Sequence, residues 1–188
     1  MMRLPLTLLL LFILIPAALA GESPLTAAEE GENRIIFGLS QYNPLGAQSF
    51  DHRYGFRMEL RLGDVHIWKL HPWLGVESLP MQAGYIGGGL ETDIDLNENW
   101  VMTLQTGAGY LDDGVEHYTN QIYPPAGFEF RSQIELAYKL EGGGRLGVGF
   151  AHISDAGLRK PNPGVETLSL NAHIPLTQLS KPAKALAR

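Results

Sequence analysis

The sequence predicts an all-β chain, an eight-stranded antiparallel up-and-down β-barrel of the outer-membrane kind, on three observations. From Arg34 onward apolar and polar residues alternate with a period of two. Past Gly21 no run of 18 apolar residues occurs, which excludes a helical membrane protein. The links between alternating segments are short and long by turns, as in barrels with tight periplasmic turns and longer external loops.

The N-terminus comes first. Residues 4–15 form a short apolar run behind Arg3, and Ala18-Leu19-Ala20 before Gly21 has the small-residue pattern of a cleavage site. The run is short for a bilayer span, which disfavours a retained anchor. Residues 1–20 are therefore expected to be a signal peptide, and 21–33 an N-terminal periplasmic segment. The chain of 188 residues has no cysteine, so neither disulfides nor thiol chemistry are available. Its formal net charge of −6 becomes more negative once Arg3 is lost with the leader. A general nucleic-acid binder, which needs a basic stripe, is excluded.

The barrel is expected over 34–174, with strands near 34–42, 53–63, 65–79, 83–95, 99–110, 128–140, 145–154 and 164–174. In the second, Tyr54, Phe56, Met58, Leu60 and Leu62 alternate with Arg53, Gly55, Arg57, Glu59 and Arg61. In the sixth, Phe128, Phe130, Ile134, Leu136, Tyr138 and Leu140 oppose Glu129, Arg131, Gln133, Glu135 and Lys139. Gly63-Asp64, 96–98 and 141–144 supply tight links, while 43–52, 111–127 and 155–163 supply long ones. The link near 80–82 is brief where length is expected. Residues 175–188, with Lys181, Lys184 and Arg188, continue as a tail expected to be disordered in the periplasm.

Period alone does not say which face is inside. A soluble lipocalin-like barrel, such as a periplasmic ligand carrier, turns its apolar face inward, whereas a membrane barrel of this size fills its narrow interior with polar side chains. The mixed Arg, Glu, Gln and Gly of the polar faces suit an interior network. Trp68 and Trp100 fall beside predicted periplasmic turns, where amphipathic rings prefer the membrane boundary. Both observations favour the membrane.

The last two strands carry the chemistry. Leu146, Val148, Phe150, His152 and Ser154 share one face, and Glu166 begins the face that continues with Leu168, Leu170, Ala172 and Ile174. With a periplasmic N-terminus the seventh strand runs outward and the eighth returns, so His152, Ser154 and Glu166 gather at the outer rim and point toward lipid. Carboxylate, imidazole and hydroxyl are the groups acyl transfer needs, because serine is a weak nucleophile at its free pKa. Polar rim residues meeting headgroups would look the same, and spacing does not separate the two.

His152-Ile153-Ser154-Asp155-Ala156-Gly157, followed by Pro161-Asn162-Pro163-Gly164-Val165-Glu166, resembles the signature of the PagL-like lipid A 3-O-deacylases, or acyloxyacyl hydrolases. That pattern is His, any residue, Ser-Asn-Ala, then a Pro-Asn pair and Gly-x-Glu at the same Ser-to-Glu separation. A looser likeness extends over the mature domain, including Pro72-Trp73-Leu74-Gly75-Val76-Glu77 and the Gly-rich segment between Tyr85 and Leu90. The resemblance implies an eight-stranded outer-membrane barrel that hydrolyses the acyl ester at position 3 of lipid A, without metal or cofactor. Its partners would be the lipopolysaccharide substrate and the outer membrane; a homodimer is compatible with it, and the oligomeric state stays open.

By the same resemblance Ser154 is the nucleophile, His152 the general base and then acid, and Glu166 the orienter of His152. Asn162 would hold the oxyanion, helped by backbone N–H groups around Asp155 and Gly157. Asp155 departs from the family asparagine and replaces a donor with an acceptor. Facing the oxyanion it would oppose catalysis, but strand alternation turns it toward the lumen, where a rim cation can pair with it. If Asp155 marks decayed chemistry, the chain is a non-catalytic structural or adhesive barrel. Arg159 and Lys160, in the adjoining loop, are candidates for contact with lipid A phosphates.

Other signals point to structure. Gly87-Gly88-Gly89 lies within a strand and no helix follows, so it reads as a close-packing or bulge site rather than a phosphate loop. The six histidines lack metal-ligand spacing, and Asp112-Asp113 with Glu116 and His117 reads as a solvated loop rather than a calcium site.

Overall fold

Eight strands follow one another around a closed barrel: β1 (Arg34–Tyr42), β2 (Tyr54–Arg61), β3 (His71–Ser78), β4 (Gly84–Asp95), β5 (Trp100–Asp112), β6 (Gly127–Lys139), β7 (Arg145–Ser154) and β8 (Val165–Pro175). Every neighbouring pair is antiparallel, and β8 returns to pair with β1. Closure leaves no unpaired edge, which a sheet in hydrocarbon requires. This computed structural model describes residues 32–44, 54–65, 67–78, 83–112, 126–160 and 164–179. The expected signal peptide, nearly all of the N-terminal segment, most of the long loops and the end of the tail lie outside the described residues.

The two faces sort as the membrane solution requires. Leu39, Phe56, Leu74, Ile86, Tyr110 and Leu170 are exposed on the outer wall, while Arg57, Glu59, Glu77, Gln105, Arg131 and Glu135 are buried within the bore. Such an apolar belt around a charged interior is incompatible with a soluble carrier. Trp100, at the start of β5, packs edge-on against Tyr138 with centroids 5.3 Å apart, next to the 96–99 turn.

Buried charge is tolerable here only because it is paired. Arg131 lies 3.1 Å from Glu59 and 3.7 Å from Glu77, donates to Gln105 and, at 2.5 Å, to Gln133, and sits 5.5 Å from the centre of the Trp73 ring. Arg57 joins through Glu59 at 3.4 Å. Nearer the periplasmic end, Asp93 accepts from Arg61 at 2.6 Å and from Arg145 at 2.7 Å. Left without partners, each such charge would cost several kcal/mol.

Two large rings of the bore rest on glycine. A Cβ at Gly107 would come 2.6 Å from Trp73 Cζ2, and one at Gly109 would come 2.7 Å from Tyr85 Cζ and 2.6 Å from the Gly87 Cα. The Gly87-Gly88-Gly89 run and its β5 counterparts are thus a thin stretch of wall that Trp73 and Tyr85 approach closely. At the outer mouth Tyr42, Ala83, Tyr85, Leu111, Ile153 and Val165 form an apolar cluster inside the barrel. It lies directly behind the β7–β8 hairpin, to which Ile153 and Val165 belong.

Two segments depart from expectation. β3 starts at His71 rather than near 65, because the chain makes a small hairpin first. Ile67 and Leu70 exchange hydrogen bonds of 3.0 and 3.1 Å across Trp68-Lys69, and Trp68 adopts φ 59°. A two-residue turn with a positive φ at its first position cannot be part of a strand, although Val65 and Ile67 prolong the alternation. The tail also begins in order: α1 (Leu176–Leu179) is one helical turn after β8. Leu176 N–H donates to the Asn33 carbonyl at 2.9 Å and the Thr177 hydroxyl bonds Glu32, tying this turn to the entrance of β1.

Candidate active site

The register of the last hairpin sets His152 directly opposite Glu166. The pleat then returns Ser154, two residues on, to the same face as His152. Ser154 Oγ lies 3.1 Å from His152 Nε2, and His152 Nδ1 lies 3.3 Å from Glu166 Oε1. With the imidazole proton on Nδ1, toward the carboxylate, Nε2 is the acceptor for the serine hydroxyl. Carboxylate, imidazole and hydroxyl therefore stand in one hydrogen-bonding line.

The line faces outward, continuing the lipid-facing row of Leu146, Val148 and Phe150. His152 and Glu166 side chains are about a third exposed, at 30% and 36%. Ser154 is only 4% exposed, so the hydroxyl is recessed rather than open on the wall. Its register partner on β6 is Phe130, which stacks edge-on with Phe128 at 5.1 Å. Inward-facing Ile153 and Val165 belong to the apolar cluster of the mouth, so the backbone carrying the three polar groups is backed by packed side chains.

Gly164 presses against the imidazole. Its φ is +64°, and a Cβ there would fall 2.7 Å from His152 Cε1 and 3.3 Å from Nε2. Only glycine meets both demands, a left-handed backbone and close approach. Gly164→Ala is expected to push the ring off the serine. A displacement approaching an ångström lowers turnover by about 10²-fold, to be measured as kcat on purified barrel whose folding is checked by heat-modifiable migration.

Asp155 follows Ser154 and turns inward, 1% exposed. Its Oδ1 accepts the Gly157 N–H at 2.8 Å, and its Oδ2 accepts Arg159 N–H at 2.9 Å and Nε–H at 3.1 Å. Arg159 goes on to the carbonyls of Ala126 at 2.7 Å and Phe128 at 3.3 Å, and to the carboxylate of Glu129. The lumenward turn of Asp155 and its pairing with a rim cation follow the alternation, and the cation is Arg159.

Two expectations change as a result. The Gly157 N–H is committed to the Asp155 carboxylate, so it is not free to meet an oxyanion. Arg159, expected to meet phosphates, is drawn into the rim by two carboxylates. Lys160 is exposed. Asn162 lies outside the described residues. Glu129 was legible only as one inward residue of β6; nothing in the spacing linked it to a cation 30 positions away. Among the described residues no group of three His, Asp or Glu side chains is placed to hold a metal ion.

A family model described as lipid A 3-O-deacylase (PagL) matches residues 52–175, from the foot of β2 to the end of β8. Among solved structures, the crystal structure of the outer membrane enzyme PagL aligns with a TM-score of 0.52 at 18% identity, covering 76% of this chain and 99% of that one. A de novo designed transmembrane β-barrel aligns with a TM-score of 0.51 at 8% identity, covering 77% of this chain and 96% of the design. At such identities the structural likeness speaks for architecture, not chemistry. No curated protein matches the chain. The family match takes in β2 to β8 with His152, Ser154 and Glu166, and on it the chain belongs to the lipid A 3-O-deacylase (PagL) family, an eight-stranded barrel of the Gram-negative outer membrane.

Proposed function

We propose that this chain is an outer-membrane serine esterase that hydrolyses the 3-O-linked acyl chain of lipid A. The observation that carries the reading is the line from Glu166 through His152 to Ser154 on the lipid side of the barrel mouth. An ester in the outer leaflet reaches that hydroxyl sideways, without entering the bore.

In the reaction Ser154 Oγ attacks the ester carbonyl while its proton passes to His152 Nε2, and Glu166 steadies the imidazolium through Nδ1–H. The bond to the sugar oxygen breaks, that oxygen takes the proton from His152, and the acyl group stays on Ser154 as an ester. Water attacks this intermediate as His152 takes one of its protons. The fatty acid departs and the serine hydroxyl is restored. With the Gly157 N–H engaged by Asp155, the oxyanion falls to other donors, the Asn162 amide foremost. Lys160 is the cation left to meet a lipid A phosphate.

The test is mass spectrometry of lipid A from cells with and without the chain. Expression is expected to remove the mass of one 3-hydroxyacyl group, and the Ser154→Ala chain to leave lipid A intact. Unaltered lipid A in cells holding a folded wild-type barrel would overturn the reading in favour of a structural or adhesive barrel.

A further inference from the structure

We infer that Asp155, Arg159 and Glu129 act as one charge clasp that holds the loop after Ser154, making Asp155 a positioning residue for the nucleophile. Its kinetic consequence rests on the esterase reading above, and the clasp itself does not.

The loop needs holding. Ser154 ends β7, and the chain then reverses: Leu158 N–H donates to the Asp155 carbonyl at 3.1 Å, with Ala156 at φ 57° and Gly157 at φ 82° between them. Two successive positive φ values define the tight reversal of a primed turn. Glycine adopts this at no steric penalty, whereas alanine does not, so the turn is locally unfavourable beside the nucleophile. The Asp155 side chain opposes that tendency by accepting from the far arm of the turn at Gly157 and Arg159.

Hydrogen-bond capacity explains why this chain carries a carboxylate. Asp155 accepts three N–H groups on two oxygens, one from Gly157 and two from Arg159. An asparagine has one acceptor oxygen. If it served Gly157, its NH₂ would face the N–H groups of Arg159, donor against donor; if it served Arg159, Gly157 would lose its acceptor. The asparagine of the family pattern therefore does not fit the loop that Arg159 builds.

The other end of the clasp fixes the loop to β6. Ser154 pairs with Phe130 at the end of the β6–β7 ladder, so Asp155 and Glu129 follow as the next, unpaired positions. Both carboxylates are buried, Glu129 at 0% exposure. Side by side they would repel, and the Arg159 guanidinium is what both of them bind. The residue after the nucleophile is thereby tied to the residue before its cross-strand partner.

Asp155→Asn and Glu129→Gln in the full barrel test this, with wild type alongside. Both are expected to lower kcat about tenfold with KM unchanged, a smaller effect than an ångström-scale misplacement. The double variant is expected to be no slower than the slower single one, because both break a single device. A readout independent of turnover is tryptic cleavage after Arg159, expected to be slow in wild type and faster in both variants. Asp155→Asn turning over at or above the wild-type rate would overturn the positioning role, even if cleavage after Arg159 speeds up. Unchanged cleavage in both variants would overturn the clasp. Failure of the wild-type barrel to release fatty acid would refute the esterase reading instead, and the cleavage comparison would still judge the clasp.

Discussion

Ser154→Ala is expected to lower kcat for release of fatty acid from lipid A by on the order of 10⁶, the loss seen when a hydroxyl nucleophile is removed from a working triad. The barrel should be little affected, since the Ser154 hydroxyl faces outward and its hydrogen bond goes to His152, at 3.1 Å, rather than into the charged network of the bore. Loss of activity with retained heat-modifiable migration is the outcome to look for. Glu166→Gln should be milder. A buried orienting carboxylate is worth about 10⁴ in turnover, but Glu166 is 36% exposed and 3.3 Å from His152 Nδ1, so water shares its role. Its loss is expected to fall short of that figure by an order of magnitude or more. Combining Glu166→Gln with Ser154→Ala should add nothing, because without the hydroxyl there is no proton for the imidazole to take. A Ser154→Ala barrel that still releases fatty acid would remove Ser154 as the nucleophile.

Arg131→Ala is expected to have the largest effect on the fold. The side chain is buried, and it is the ion-pair partner of Glu59 and Glu77 as well as a donor to Gln105 and Gln133. Its removal leaves Glu59 to Arg57 and the Gln105 amide, and Glu77 to the hydroxyls of Ser40 and Tyr42, at 3.1 and 2.5 Å. Breaking one side of a buried ionic network costs about 3–5 kcal/mol. The measurement is the urea midpoint for loss of the heat-modifiable form, which should drop sharply. Adding Glu77→Gln to Arg131→Ala should recover part of the loss, since it removes the carboxylate that has lost its ion-pair partner. If the double variant is less stable than the single one, Arg131 holds the bore by packing on Trp73 rather than by charge.

The architecture was legible because a membrane barrel writes each strand as two faces of opposite character. Tyr54 to Leu62 and Phe128 to Leu140 show this, and the hairpin rule then placed His152, Ser154 and Glu166 together without any contact information. Trp68 was misleading for a local reason: the alternation of Val65 and Ile67 ran straight through a left-handed turn that no period can register. The recess around Ser154 was hidden as well, since parity tells which way a side chain points and not what stands over it. Asp155 was read correctly as inward, whereas Arg159 was assigned to phosphate because its partner Glu129 is brought near only by closure of the β6–β7 ladder. Pairings between distant strands are long-range facts, and a single sequence states local ones.

The apolar cluster of Tyr42, Tyr85, Leu111, Ile153 and Val165 has one more consequence. An ion passing there would have to shed its water among apolar side chains, so a planar bilayer containing this protein is expected to show no single-channel current. On the esterase reading, the water that frees the fatty acid is then expected to arrive from the cell exterior, between the sugar headgroups, along the same side from which the lipid comes. Hydration of the outer leaflet, rather than any passage through the barrel, would set how fast the acylated serine is cleared.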